Sequence, residues 1–86
     1  GNLITKIMER TQTGVRIATP LLKVLKALAE EKDMSLGDLL EGIVLHAFES
    51  KPPFSERTLA VIEKLKDVYG CRLTSADSHL HPDRKG

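Results

Sequence analysis

One stretch of this 86-residue chain alternates like a β-strand, whereas the segments after it have the periodicity of helices. In positions 11–18 the β-branched residues fall on one face and the others on the opposite face: Thr11, Thr13, Val15 and Ile17 against Gln12, Gly14, Arg16 and Ala18. A lone strand leaves its amides and carbonyls unpaired, so its expected partner is the same strand from a second copy of the chain. The alternation therefore predicts an antiparallel two-stranded ribbon on the two-fold axis of a homodimer.

Two amphipathic helices are predicted directly after this strand. The first should run from Pro20 to about Lys32, because Thr19 can cap the free amides and proline is well tolerated at the first helical position. The second should begin after Ser35, whose side chain caps it while the Asp38 carboxylate returns a hydrogen bond to the Ser35 amide. Both helices carry an apolar face that is typical of packing against a core.

The second helix is apolar on nearly every side. Its expected buried stripe consists of Leu36, Leu39, Leu40, Ile43, Val44, Ala47 and Phe48. Leu45 points the opposite way, so this helix needs cover from more than one neighbour, and a second copy would supply it. A third helix, capped by Ser55 and stopped by Gly70, is expected to pack across the second helix and to cover Leu45.

Composition narrows the function less than the patterning does. The formal net charge is +1, which does not by itself indicate a polyanion binder. Apolar runs such as 43–45 are short, so neither a membrane span nor a secretory signal is expected. The single cysteine, Cys71, excludes an intrachain disulfide and is typical of a reducing compartment such as the cytoplasm.

The order of these elements resembles the ribbon-helix-helix family of bacterial DNA-binding proteins, which includes the Arc, MetJ and CopG-like repressors. The resemblance covers about residues 12–50 and depends on the spacing of an alternating strand, two apolar helix faces and a serine cap. The matching positions are Val15, Ile17, Leu21, Leu22, Leu25, Leu28, Ala29, Ser35, Leu39, Leu40 and Ile43. The fold that it implies is mainly α, with one short N-terminal strand pairing in a two-fold homodimer and, in this chain, a C-terminal third helix.

In that family the paired strands enter the major groove of DNA, so the resemblance implies a sequence-specific transcriptional regulator, either a repressor or an antitoxin-like factor. Carried over to this chain, the base-reading positions are Gln12, Gly14 and Arg16. The phosphate-binding positions at the start of the second helix are Ser35, Leu36 and Gly37. Two departures from the family are that Gly14 has no side chain to read with and that Asp33 stands where a glycine often joins the helices.

The chemistry of two of these side chains suits base reading. Glutamine can bind adenine, and arginine can bind guanine, through two hydrogen bonds, as Gln12 and Arg16 would. Polar residues are, however, also expected on the solvent face of any strand. Residues 1–19 carry Lys6, Arg10 and Arg16 against Glu9, and we expect Lys6 and Arg10 to lie at DNA phosphates.

No constellation indicates catalysis or a cofactor, so the chain is not expected to be an enzyme. The tail sequence His79-Leu80-His81-Pro82-Asp83 spaces two imidazoles and a carboxylate, but its polar surroundings favour a loose tail over a metal site. The expected organisation is an N-terminal arm at 1–10, a ribbon-helix-helix domain at 11–50, a helical extension at 51–70 and a flexible tail at 71–86.

Two alternative functions stay open at this stage. In the remoter one, the chain is a metal sensor that uses the tail histidines. In the other, it is a dimeric interaction module that binds a partner protein through residues 55–69. Two features favour this module: Gly14 weakens base reading, and the second helix carries acidic residues without any lysine or arginine, namely Asp38, Glu41 and Glu49.

Overall fold

The computed structural model describes residues 9–79, which contain three α-helices and one short 3-10 helix. The α-helices are α1 at Thr19–Glu31, α2 at Leu36–Phe48 and α3 at Glu56–Tyr69, and the 3-10 helix lies at Ser75–His79. Residues 9–18 precede α1 without regular secondary structure. Among the helices of this part of the chain, none is long and apolar enough to cross a membrane.

The ribbon-helix-helix fold predicted from the sequence is wrong in its first element, because residues 9–18 form no strand. We call residues 9–17 the extended segment, after the backbone conformation that their sequence favours. Within the described part of the chain, its backbone amides and carbonyls make no hydrogen bond to another segment. A β-strand exists only where such a ladder forms. The alternating β-branched residues reflect a local preference for extended backbone, and that preference cannot supply a second strand.

The ends of α2 and α3 follow the residues that were expected to cap them. Ser35 Oγ accepts a hydrogen bond from the Asp38 amide at 3.1 Å, and Ser55 Oγ accepts one from the Thr58 amide at 3.2 Å. Gly70 ends α3 in the left-handed conformation, with φ at 65°. These three helix ends confirm the sequence prediction.

The start of α1 differs from the prediction. The helix begins at Thr19, its N-cap is Ala18, and no side chain caps it. The predicted cap by Thr19 is therefore wrong. Pro20 still marks the start, because a residue without an N–H loses nothing in a turn whose amides have no partner inside the helix.

The joint between α1 and α2 is tight. Its Asp33 lies in the left-handed region, with φ at 59°, which aspartate tolerates better than most residues do. The Met34 amide then donates to the Ala29 carbonyl over 3.0 Å, and this bond closes the turn. Asp33 thus takes a backbone conformation that glycine would adopt without strain.

The core is centred on α1. Its Leu28 is 2% exposed and forms the centre of a buried cluster with Ala29 and with Leu39 of α2. Partly buried side chains complete this core: Leu25, Ile43, Phe54, Val61, Ile62 and Leu65. Both α2 and α3 pack against α1, whereas no Cα atom of α2 approaches one of α3 within 8 Å.

The predicted packing of α3 across α2 is consequently wrong. The buried side of α3 is turned toward α1, with Thr58 buried and Val61 and Leu65 partly buried. Leu45 on α2 remains 61% exposed. Beyond α3, Cys71 is buried, and the Thr74 amide donates to Asp77 Oδ2 at 2.7 Å where the 3-10 helix begins.

Candidate nucleic-acid interface

The extended segment lies beside the helices without packing closely on them. Together with the first turns of α1 and α2 it borders an open groove of about 690 Å³, whose apolar lining includes Ile17, Leu22 and Leu40. Every residue from 9 to 16 is exposed, and Ile17 is partly buried. The segment therefore presents both its side chains and its unpaired backbone groups to solvent or to a ligand.

The three predicted base-reading residues lie on this segment. Gln12, Gly14 and Arg16 are all exposed. A Cβ atom built on Gly14 would have no neighbour within 4 Å, so this position is open rather than crowded. The Arg16 guanidinium and the Gln12 amide have no hydrogen-bond or ion-pair partner within residues 9–79. Their donors are free for an external ligand.

The segment continues into a basic start of α1. From Arg10 to Ala29 the sequence contains four Lys and Arg residues and no Asp or Glu. Lys23 and Lys26 lie in this stretch on the exposed side of α1, and neither has an ion-pair partner within the described residues. Our reading of the sequence did not assign these two lysines, although the absence of acidic residues could have indicated them.

The start of α2 is electrostatically different. The predicted phosphate-binding residues Ser35, Leu36 and Gly37 lie there, but the Ser35 side chain already caps the Asp38 amide. The Asp38 carboxylate itself does not return a bond to the Ser35 amide as expected. It accepts a hydrogen bond from Arg10 Nη1 at 3.0 Å, and Glu41 pairs with the same nitrogen at 3.1 Å.

These ion pairs change the surroundings of the predicted phosphate site. A phosphate approaching the first amides of α2 would meet two carboxylates, whose negative charges repel it. Arg10 compensates one of these two negative charges, but its Nη1 atom is then paired with the carboxylates and not with a phosphate. The other predicted phosphate contact, Lys6, lies outside the described residues.

The outer face of α2, turned away from the core, is apolar at its C-terminal half. It exposes Val44, Leu45 and Phe48, the last of them to 79%, so the predicted burial of Val44 and Phe48 is wrong. We call these three residues the α2 outer face. Exposed apolar clusters of this kind are typical of interaction surfaces on small proteins. It carries no cation, so it does not suit a polyanion.

Within residues 9–79 no group of three or more His, Cys, Asp or Glu side chains is placed to hold a metal ion. His81 and Asp83 of the tail lie outside the described residues. The imidazole of His46, on α2, is exposed and contacts the Gly42 carbonyl of its own helix at 2.7 Å through Nδ1.

Comparison with known proteins gives no match: no model of a protein family, no curated protein and no solved structure is significantly similar to this chain. The candidate interface is therefore described from this chain's own residues alone. These are an extended segment with free polar side chains, a start of α1 without acidic residues, and a separate apolar face on α2.

Proposed function

We propose that this chain is a sequence-specific DNA-binding transcriptional regulator, a repressor or antitoxin-like factor, that acts as a homodimer. The observation that carries the proposal is the stretch of 20 residues from Arg10 to Ala29, which has four cations and no acid. Exposed cationic groups on one stretch of chain without acidic residues are attracted to the phosphates of duplex DNA. Insertion of a two-stranded ribbon is not part of this proposal.

In the proposed complex the extended segment lies along the major groove. Arg16 binds the O6 and N7 atoms of a guanine and Gln12 binds an adenine, because each side chain can make two parallel hydrogen bonds. Gly14 between them lets the backbone approach the base edges without discriminating among them. Lys23 and Lys26 contact phosphates, where they raise affinity for all sequences alike.

The α2 outer face supplies the dimer. A second copy packing there would remove Val44, Leu45 and Phe48 from water, and burial of apolar surface contributes about 25 cal/mol per Å². Packing of the same face on itself requires a two-fold axis. The operator would then be an inverted repeat, and a bound dimer would act by occluding a promoter. A DNA-binding role, together with the free Cys71, suits a reducing cytoplasm.

The experiment that tests the proposal is selection of bound sequences from random duplex DNA by the full chain, followed by gel-shift titration on the selected duplex. We expect enrichment of a short inverted repeat and an affinity that falls steeply with salt. In the titration, Lys23→Ala and Lys26→Ala should each make the negative slope of log affinity against log salt shallower by about 0.9. No enrichment, combined with no binding of any duplex at low salt, would contradict the proposal.

A second candidate function rests on a different observation. Helix α3 exposes Leu59 and Tyr69 and leaves Val68 71% accessible, although it packs on α1 along its other side. The chain would then be a dimeric module that binds a partner protein through residues 55–69. A triple variant that replaces these three residues by serine would lose the partner in this case and would keep DNA binding in the first case.

A further inference from the structure

We infer that Arg10 forms a latch between the extended segment and α2, and that DNA must displace the two carboxylates of this latch to engage the segment. This inference rests on the proposed DNA-binding function. The contact consists of one guanidinium nitrogen placed 3.0 Å from Asp38 Oδ1 and 3.1 Å from Glu41 Oε1. Asp38 and Glu41 are three residues apart on α2 and therefore lie on neighbouring turns of one helix face.

The latch is the only polar attachment of the extended segment within residues 9–79. Residues 11–17 make no hydrogen bond and no ion pair there, and residues 11–16 are exposed. Arg10 is at one end of the segment, and the first turn of α1 is at the other. Between these two points the chain passes along the open groove. Loss of the Arg10 contact would leave the segment joined to the helices through α1 alone.

All three side chains of the latch are about half exposed, with 52% for Arg10, 49% for Asp38 and 51% for Glu41. Ion pairs at such positions are weak and are screened by salt, so they exchange readily for other partners. Phosphate oxygens offer a guanidinium the same geometry as carboxylate oxygens do. The two carboxylates therefore compete with DNA phosphates for Arg10, and they also repel those phosphates.

Two kinds of variant open the latch, and they should loosen the segment alike while changing DNA affinity in opposite directions. Arg10→Gln opens the latch and removes a cation, so the extended segment should loosen and DNA affinity should fall. The double variant Asp38→Asn with Glu41→Gln opens the same latch and removes the competitor, so the segment should loosen while DNA affinity rises. The matched control is Glu30→Gln with Glu31→Gln. It makes the same change in net charge at the C-terminal end of α1, in residues that form no ion pair within the described part of the chain.

Loosening is measured without DNA by limited trypsin digestion of the full chain, with mass spectrometry following cleavage of the Arg16–Ile17 bond. We expect cleavage to be about two- to tenfold faster in both latch variants than in wild type and in the control. Added salt should accelerate this cleavage in wild type but not in Arg10→Gln, because salt screens only an existing latch. If the double variant loses helix content, Glu41→Gln alone serves as the second variant, because it leaves the first turn of α2 untouched. Its cleavage rate should lie between those of wild type and Arg10→Gln.

DNA affinity is measured by gel shift on the selected duplex. We expect the double variant to bind about two- to tenfold more tightly than the control, and Arg10→Gln to bind more weakly than wild type. Equal cleavage rates in all four proteins, or equal DNA affinity of the double variant and its control, would overturn the inference. If the latch variants are cleaved faster but wild type binds no duplex, the latch is supported, whereas the proposed function and the competition with DNA are overturned together.

Discussion

Lys32, at the end of α1, donates a hydrogen bond from its Nζ to the Oγ1 of Thr58 in the first turn of α3, over 3.0 Å. Thr58 is buried, and its amide also donates to Ser55 Oγ. The bond therefore joins two helices at a point that is partly shielded from water. It places a lysine ammonium on the only buried polar side chain within the described residues.

Replacing Thr58 by valine should lower the free energy of unfolding by about 1 kcal/mol, since the hydroxyl acceptor is lost while the shape is nearly kept. The measurement is urea denaturation followed by circular dichroism. A double-mutant cycle with Lys32→Met isolates the pair. A coupling energy of zero in that cycle would show that the hydrogen bond contributes nothing to stability.

Asp33 and Gly70 both lie at left-handed positions, and they should respond in opposite directions. Asp33→Gly relieves a strained φ and should raise the free energy of unfolding by about 0.5 to 1 kcal/mol. Gly70→Ala introduces the same strain and should lower it by about 1 kcal/mol, because no atom lies within 4 Å of the new Cβ and only the backbone responds. Thermal unfolding of both variants checks the pair, and a shift of the same sign in both would contradict this account.

The burial of Leu28 identifies it as the centre of the core. Leu28→Ala should lower the free energy of unfolding by about 2 to 5 kcal/mol, because it leaves a cavity between α1 and the residues packed on it. Leu21→Ala on the exposed part of α1 is the matched control and should cost much less. Denaturant titration compares them, and similar midpoints would mean that the core lies elsewhere.

The homodimer has its own prediction on the α2 outer face. Phe48→Glu should convert a particle of two chains into one of a single chain, since it places a charge on the apolar face that a second copy would cover. Lys51→Glu, at an exposed position just beyond α2, is the control and should leave the mass unchanged. Sedimentation at micromolar concentration distinguishes them. A wild-type chain that sediments as a monomer at this concentration would contradict the proposed homodimer.

Base reading is tested on the extended segment. Arg16→Ala should cost about 1 to 3 kcal/mol of DNA binding and relax the preference at one base position of each half-site. Gly14→Asp should abolish binding without unfolding the chain, because the space around this residue is open and the new charge would face the groove. Arg72→Ala, on the segment after α3, is the control. Gel-shift titration that finds wild-type binding in both variants would exclude this mode of reading.

The helix boundaries were largely predictable because capping is a local property. Ser35, Ser55 and Gly70 act through bonds or backbone angles within their own turn, and each lies where the sequence placed it. The extended segment was not predictable in this way. Its alternation indicates extended backbone, but a β-strand also needs a partner strand for its hydrogen bonds, and the described residues contain no such partner.

The packing of α3 could not be predicted for a related reason. An apolar face shows that a helix packs, but it does not say against which neighbour, and α3 packs on α1 instead of α2. Within the candidate interface, Gln12 and Arg16 are exposed, but so are Thr13 and Val15 of the face that the alternation predicted to be covered. The engagement of Arg10 with Asp38 and Glu41 spans 28 and 31 residues of chain, and no local pattern indicates such a contact.

Because α2 and α3 both pack on α1 and no Cα atom of one lies within 8 Å of the other, each outward surface is held in place mainly through α1. Substitutions can accumulate on one of them without forcing a compensating change on the other. Such a chain can acquire a new partner on α3 while the exposed side of α2 stays as it is. The price of this independence falls on α1, whose buried residues serve both neighbours and should be the least tolerant of change across diverging copies of the sequence.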